Sequence, residues 1–121
     1  MPIDPGSFLP LRDLTFRILL ALGDGELHGW ALGQALGEPD GASRVLPGQL
    51  YRTLDSMLDG GLIMERSRPV AAQPLRARGG AAPSRFFSLT PLGRAVARLE
   101  TDRLATLVAT SRSRRLLKGR S

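Results

Sequence analysis

Gln49 and Arg52 stand three residues apart in a stretch whose leucines recur every four positions. On a helix that spacing places both on one face. Their side chains match two base-edge pairings, glutamine with adenine and arginine with guanine. Tyr51 and Thr53 flank Arg52, and Thr53 shares the polar face with Ser56. A second group follows: Arg66, Arg68, Arg76, Arg78 and Arg85, with no acid between positions 66 and 90. Such a run suits a phosphate backbone, because each phosphate neutralised releases condensed counterions. The competing reading is two solvated polar surfaces with no partner. Asp55 and Asp59 on the same helix speak for it, since a phosphate-facing surface would not favour acids.

Other chemistries lack their residues. With no cysteine, disulfide scaffolds, thiolate metal sites and cysteine nucleophiles are excluded. His28 is the single histidine, so a multi-histidine metal site is excluded too. His28 is expected to be structural, packing against the third helix or capping the second. Trp30 is expected in the core. No glycine-rich phosphate loop or Gly-x-Ser-x-Gly turn occurs, and one histidine without a nearby nucleophile makes no triad. The chain is expected to be no enzyme and to need no cofactor or metal.

The 121 residues allow one small domain with a tail. The longest apolar run, Ile18 to Leu22, is far short of a membrane span, and no basic leader precedes an apolar stretch at the start. A cytoplasmic protein with no membrane contact is expected. The net charge of +6 is unevenly distributed. Residues 1–65 hold four arginines against nine acids, a net of −5, and residues 66–121 hold thirteen basic residues against Glu100 and Asp102, a net of +11. The second half therefore points to a polyanionic partner.

The elements that must position these residues follow from spacing. Residues 1–9, with Pro2, Pro5 and Gly6, read as a flexible leader. Helical patterns cover 11–22 and 28–36. A third runs from 47 to 59, opened by Pro47 and stopped by Gly60-Gly61, with Leu50 and Leu54 as core. Residues 62–68 and 85–89 read as strands of a hairpin, joined by a long loop rich in Pro, Ala and Gly. Arg66 and Arg85 on those strands are expected to face each other or a partner acid. Thr90-Pro91 is a strong helix start, and the last helix is expected over 91–115, with 116–121 as a basic tail. The fold expected is mainly α with a small β-hairpin: a winged helix-turn-helix over 10–90 plus a long C-terminal helix.

Four stretches carry a family resemblance. They are Ile18-Leu19-Leu20-Ala21-Leu22, Leu27-His28-Gly29-Trp30-Ala31-Leu32, Gly48-Gln49-Leu50-Tyr51-Arg52-Thr53-Leu54 running to Gly61-Leu62-Ile63, and Arg85-Phe86-Phe87-Ser88-Leu89-Thr90-Pro91-Leu92-Gly93. In this order the chain resembles the PadR-like transcriptional regulators, in their smaller subgroup with one terminal helix. It departs from them in its long hairpin loop and in Trp30, where tyrosine is usual. The resemblance implies a winged-helix regulator of transcription, with Tyr51 touching the DNA backbone.

The last helix carries a stripe of Leu92, Val96, Leu99 and Leu107, interrupted by Arg103. A helix of roughly 37 Å exceeds what the body can cover, so a second copy is expected to cover the stripe. The resemblance implies the same pairing, with the first helix joining in. The expected function is a sequence-specific DNA-binding regulator, a repressor, reading a palindromic operator on double-stranded DNA as a homodimer. A small-molecule effector of unspecified identity is left open; the last helix has no aromatic residue on which one could stack. The alternative is a winged-helix protein–protein module that contacts no DNA, for which the acidic 1–65 half is the best argument.

Overall fold

The computed structural model describes residues 3–36, 47–68 and 84–117. Four helices, α1 (Asp13–Ala21), α2 (Gly29–Ala35), α3 (Pro47–Asp59) and α4 (Pro91–Ser113), surround a small sheet of β1 (Leu27–His28), β2 (Ile63–Arg68) and β3 (Ser84–Leu89). The expected fold class is found, with one addition: the hairpin gains a third strand. β3 is central, antiparallel to β2 from Ile63↔Leu89 to Arg68↔Ser84 and to β1 at Leu27↔Phe87 and His28↔Phe86.

The core joins every element. Ile18 and Leu19 of α1, Leu32 of α2, Leu50, Leu54 and Met57 of α3, Ile63 of β2, Phe87 of β3 and Val96 of α4 are all buried. Strand alternation explains the sheet's share. Ile63 and Phe87 point inward, while Met64 and Phe86 lie on the other face with His28. His28 meets Phe86 edge-on on this outer face of the sheet, ring centres 5.2 Å apart.

The junction of α3, β2 and α4 is tightly tied. Gly61 takes the left-handed backbone, φ +80°, that closes α3. Its N–H donates to the Leu58 carbonyl and that of Leu62 to Met57, satisfying carbonyls the helix end would leave open. Thr90 caps α4 by accepting from the Gly93 N–H at 3.0 Å and donates its hydroxyl proton to the Gly61 carbonyl. Gly93 packs directly on the Leu62 backbone; a Cβ there would sit 2.9 Å from the Leu62 carbonyl carbon.

The expected flexible leader is corrected over its described part. Pro5–Phe8 forms a short 3-10 turn, capped by the Asp4 side chain at the Gly6 N–H. Phe8 and Leu9 pack against the core, which anchors this segment. The Leu11 N–H then donates to the buried Glu100 carboxylate of α4 at 2.9 Å. A segment rich in Pro and Gly still folds when its few large apolar side chains find a groove.

Candidate nucleic-acid interface

α3 divides cleanly into faces. Leu50, Leu54 and Met57 are buried, while Gln49, Arg52 and Ser56 form one exposed strip on the far side. Helical spacing alone produces this division. Among the described residues no acid forms a salt bridge with Arg52. Its guanidinium lies near Gly48, at the N-terminal end of the helix. Thr53 is half-buried, and its hydroxyl donates to the Gln49 carbonyl at 2.9 Å. That hydrogen bond is local to the helix, so Thr53 adds less to the exposed strip than its sequence position suggests.

Tyr51 sits on the flank of α3 that faces the sheet and is partly exposed. A Cβ added at Gly29 would approach its hydroxyl to 3.0 Å. The Arg85 guanidinium lies over its ring, 5.6 Å from the centre, and 5.2 Å from that of Phe87. The two neighbours hold the ring beside the exposed strip.

Arg66 and Arg85 on the strands are not free cations. Arg66 and Arg85 project from opposite faces of the sheet, as the register Arg66↔Phe86 and Ser67↔Arg85 requires. They do not face each other, but each faces an acid. Arg66 pairs bidentately with Glu26, at 3.0 and 3.1 Å. Arg85 pairs bidentately with Glu65, at 2.6 and 3.1 Å, and reaches Asp55 of α3 at 3.3 Å. Both guanidiniums are held more basic than usual: the Glu26 hydrogen bond leads for Arg66, and the Glu65 bond leads for Arg85, with Asp55 adding to it against partial burial. As direct phosphate ligands both would have to exchange a carboxylate for DNA. The Arg68 side chain, Arg76 and Arg78 lie outside the described residues, as does the Trp30 side chain.

The helix expected to pair with a second copy is divided along its length. Val96 is fully buried in its own subunit's core, so its assignment to a dimer surface is corrected. Leu92 packs partly against the same core. Arg103 is engaged with Glu100, which is 1% exposed; its hydrogen bonds hold the Glu100 carboxyl below the usual carboxylate range, helped by the Leu11 N–H and opposed by burial. Leu99 and Leu107 remain exposed, with Val108. Leu107 lies on the same helical face as Val96 and Glu100, eleven and seven positions on, yet is 49% exposed. The body of the chain ends before it.

Sequence reasoning missed Glu26, Glu65 and Asp55 as arginine partners and Glu100 as an anchor. The Arg66 and Arg85 partners lie 20 to 40 positions away, where no periodicity links them. Among the described residues no cluster of histidine and carboxylate side chains could hold a metal, and no helix is long and apolar enough to cross a membrane.

Comparison with known proteins agrees with this geometry. A model of the transcriptional regulator PadR-like family matches residues 18–99. An uncharacterised 37.1 kDa protein in transposon TN4556 of Streptomyces fradiae is 34% identical over 96 residues, 79% of this chain and 24% of that protein. The chain thus spans about a quarter of the length of this curated relative. Among solved structures, Bacillus subtilis PadR in complex with operator DNA aligns with a TM-score of 0.58 and 26% identity, over 78% of this chain and 48% of that one. A PadR family regulator from Clostridium difficile R20291 shares the fold, with a TM-score of 0.64, 15% identity and coverage of 83% and 95%. The family match covers most of the chain and both elements of the exposed strip and wing: this protein belongs to the PadR-like family of transcriptional regulators.

Proposed function

We propose that this chain is a sequence-specific DNA-binding repressor, acting in the cytoplasm as a homodimer on a two-fold-symmetric duplex site. The observation that carries the reading is the α3 face on which Gln49 and Arg52 stand exposed together while Leu50 and Leu54 anchor the helix from behind. An α-helix presented in this way fits the major groove, and these two side chains suit adenine and guanine. The Bacillus subtilis relative was solved with operator DNA, which supports the same class of partner.

In this reading residues 10–90 form the DNA-binding unit. Arg76 and Arg78 in the hairpin loop contact the backbone, and Tyr51 makes a further phosphate contact. α4, roughly 35 Å long, pairs two copies through Leu99 and Leu107, with Val108 beside them. Arg103 lies at the edge of that seam, and residues 116–121 add non-specific attraction. A bound effector would act by changing the angle between the two α3 helices; α4 offers it no aromatic side chain.

The test is binding to genomic duplex fragments over a salt series. The reading expects affinity that falls steeply with salt, and a slope reduced by about 0.9 for each of Arg76→Ala and Arg78→Ala. Absent or salt-insensitive binding would replace it with the protein–protein module.

A further inference from the structure

Arg85 combines three contacts that no other described cation makes together. It joins β3 to β2 through the bidentate Glu65 pair, joins β3 to α3 through Asp55, and covers the Tyr51 and Phe87 rings. Its side chain is 34% exposed. A planar guanidinium whose Nε–Nη2 fork holds one carboxylate, whose Nη2 also reaches a second, and which lies over two aromatic rings is restricted in its orientation.

We propose that Arg85 is a positioning residue: it locks the wing to the reading helix and makes no phosphate contact of its own. The inference rests on the DNA-binding reading above and refines it. Two readers on one body recognise a duplex only if the angle between them matches the groove spacing. Ile63 and Phe87 fix the base of the β2–β3 wing in the core, so what Arg85 adds is the orientation of the hairpin beyond them relative to α3. The link to α3 is made on the sheet's inner face, and on the outer face Arg66 and Glu26 tie β2 to the segment before β1. The wing is therefore braced on both sides.

The positioning role makes an expectation opposite to simple charge counting. Removing an acid near DNA should tighten binding if electrostatics alone decide. If Asp55 and Glu65 serve to hold Arg85, removing either should loosen recognition. The experiment compares wild type, Arg85→Gln, Arg85→Lys, Asp55→Asn and Glu65→Gln. Each is titrated over a salt series against two duplexes of roughly 20 base pairs, one selected by the wild-type protein from a random library and one scrambled. Arg85→Gln should lower the specific-to-scrambled affinity ratio about tenfold while leaving the salt slope unchanged. Arg85→Lys should fail to restore the ratio, since an ammonium cannot hold both acids as a fork. Asp55→Asn and Glu65→Gln should lower the ratio in the same direction.

A slope reduced by about 0.9 in Arg85→Gln, with both duplexes weakened alike and Arg85→Lys restoring them, would make Arg85 a phosphate ligand and overturn the proposal. So would uniform tightening of both duplexes by Asp55→Asn, a change at an exposed side chain that leaves the core intact. If wild-type protein selects no duplex, the DNA-binding reading itself fails, and this inference with it.

Discussion

The Glu100 carboxylate on α4 accepts a hydrogen bond from the Leu11 backbone N–H at 2.9 Å, across 89 positions of sequence. It is also the partner of Arg103, one turn along the same helix. One buried side chain therefore fastens the N-terminal segment to the helix proposed to pair two subunits. Glu100→Ala leaves both partners open and should cost about 2 kcal/mol of stability, measured by urea unfolding. An unchanged midpoint would show that the contact is incidental.

The same residue sets a dependence on pH. Its folded-state pKa is depressed, chiefly by Arg103. Its contribution is therefore fully present above the ordinary glutamate value of about 4.3 and is lost as pH falls through the lower folded value. Glu100→Gln lacks that titration. The stability gap between wild type and Glu100→Gln should be constant from neutral pH to about 5 and shrink below it. Unfolding curves at several pH values check this, and a gap that widens in acid would contradict it.

Gly93→Ala tests the α4 junction. The added Cβ meets the Leu62 backbone, which cannot rotate away as a side chain could. Either the start of α4 or the β2 entry must shift, at a cost of about 2–3 kcal/mol. Gly48→Ala is the control, since its nearest neighbour is the tip of the Arg52 side chain at 3.9 Å. Equal melting temperatures for the two variants would contradict the packing described.

Leu107→Glu tests the pairing surface without touching the core, because Leu107 is half exposed in the single chain. The expected result by sedimentation is a shift from dimer to monomer with unchanged helical circular dichroism. A wild-type protein that is monomeric at micromolar concentration would remove the proposal.

Much of the fold was legible where signals are local. The bounds of α3 follow from Pro47 and Gly60-Gly61, and the start of α4 from Thr90-Pro91, because caps and breakers act within one turn. β1 was not legible: two residues, Leu27 and His28, carry no period, and only pairing with β3 makes them a strand. The α4 stripe was visible, but periodicity does not tell which body covers it. Val96 went to the chain's own core, and Leu107 lies beyond it. In the candidate interface the exposed strip of Gln49 and Arg52 followed from helical spacing. The pairing of Arg66 and Arg85 with particular acids did not, since it depends on strand register and on how α3 lies across the sheet.

The most direct measurement is selection of bound duplexes from a random library by wild type and by Arg52→Ala. Wild type should enrich a two-fold-symmetric site with a guanine preference at one position in each half. Arg52→Ala should lose that preference in both halves, at roughly 1–3 kcal/mol per contact, while the spacing between halves stays fixed. An asymmetric site, or one identical for the two proteins, would contradict a paired α3 reading the bases.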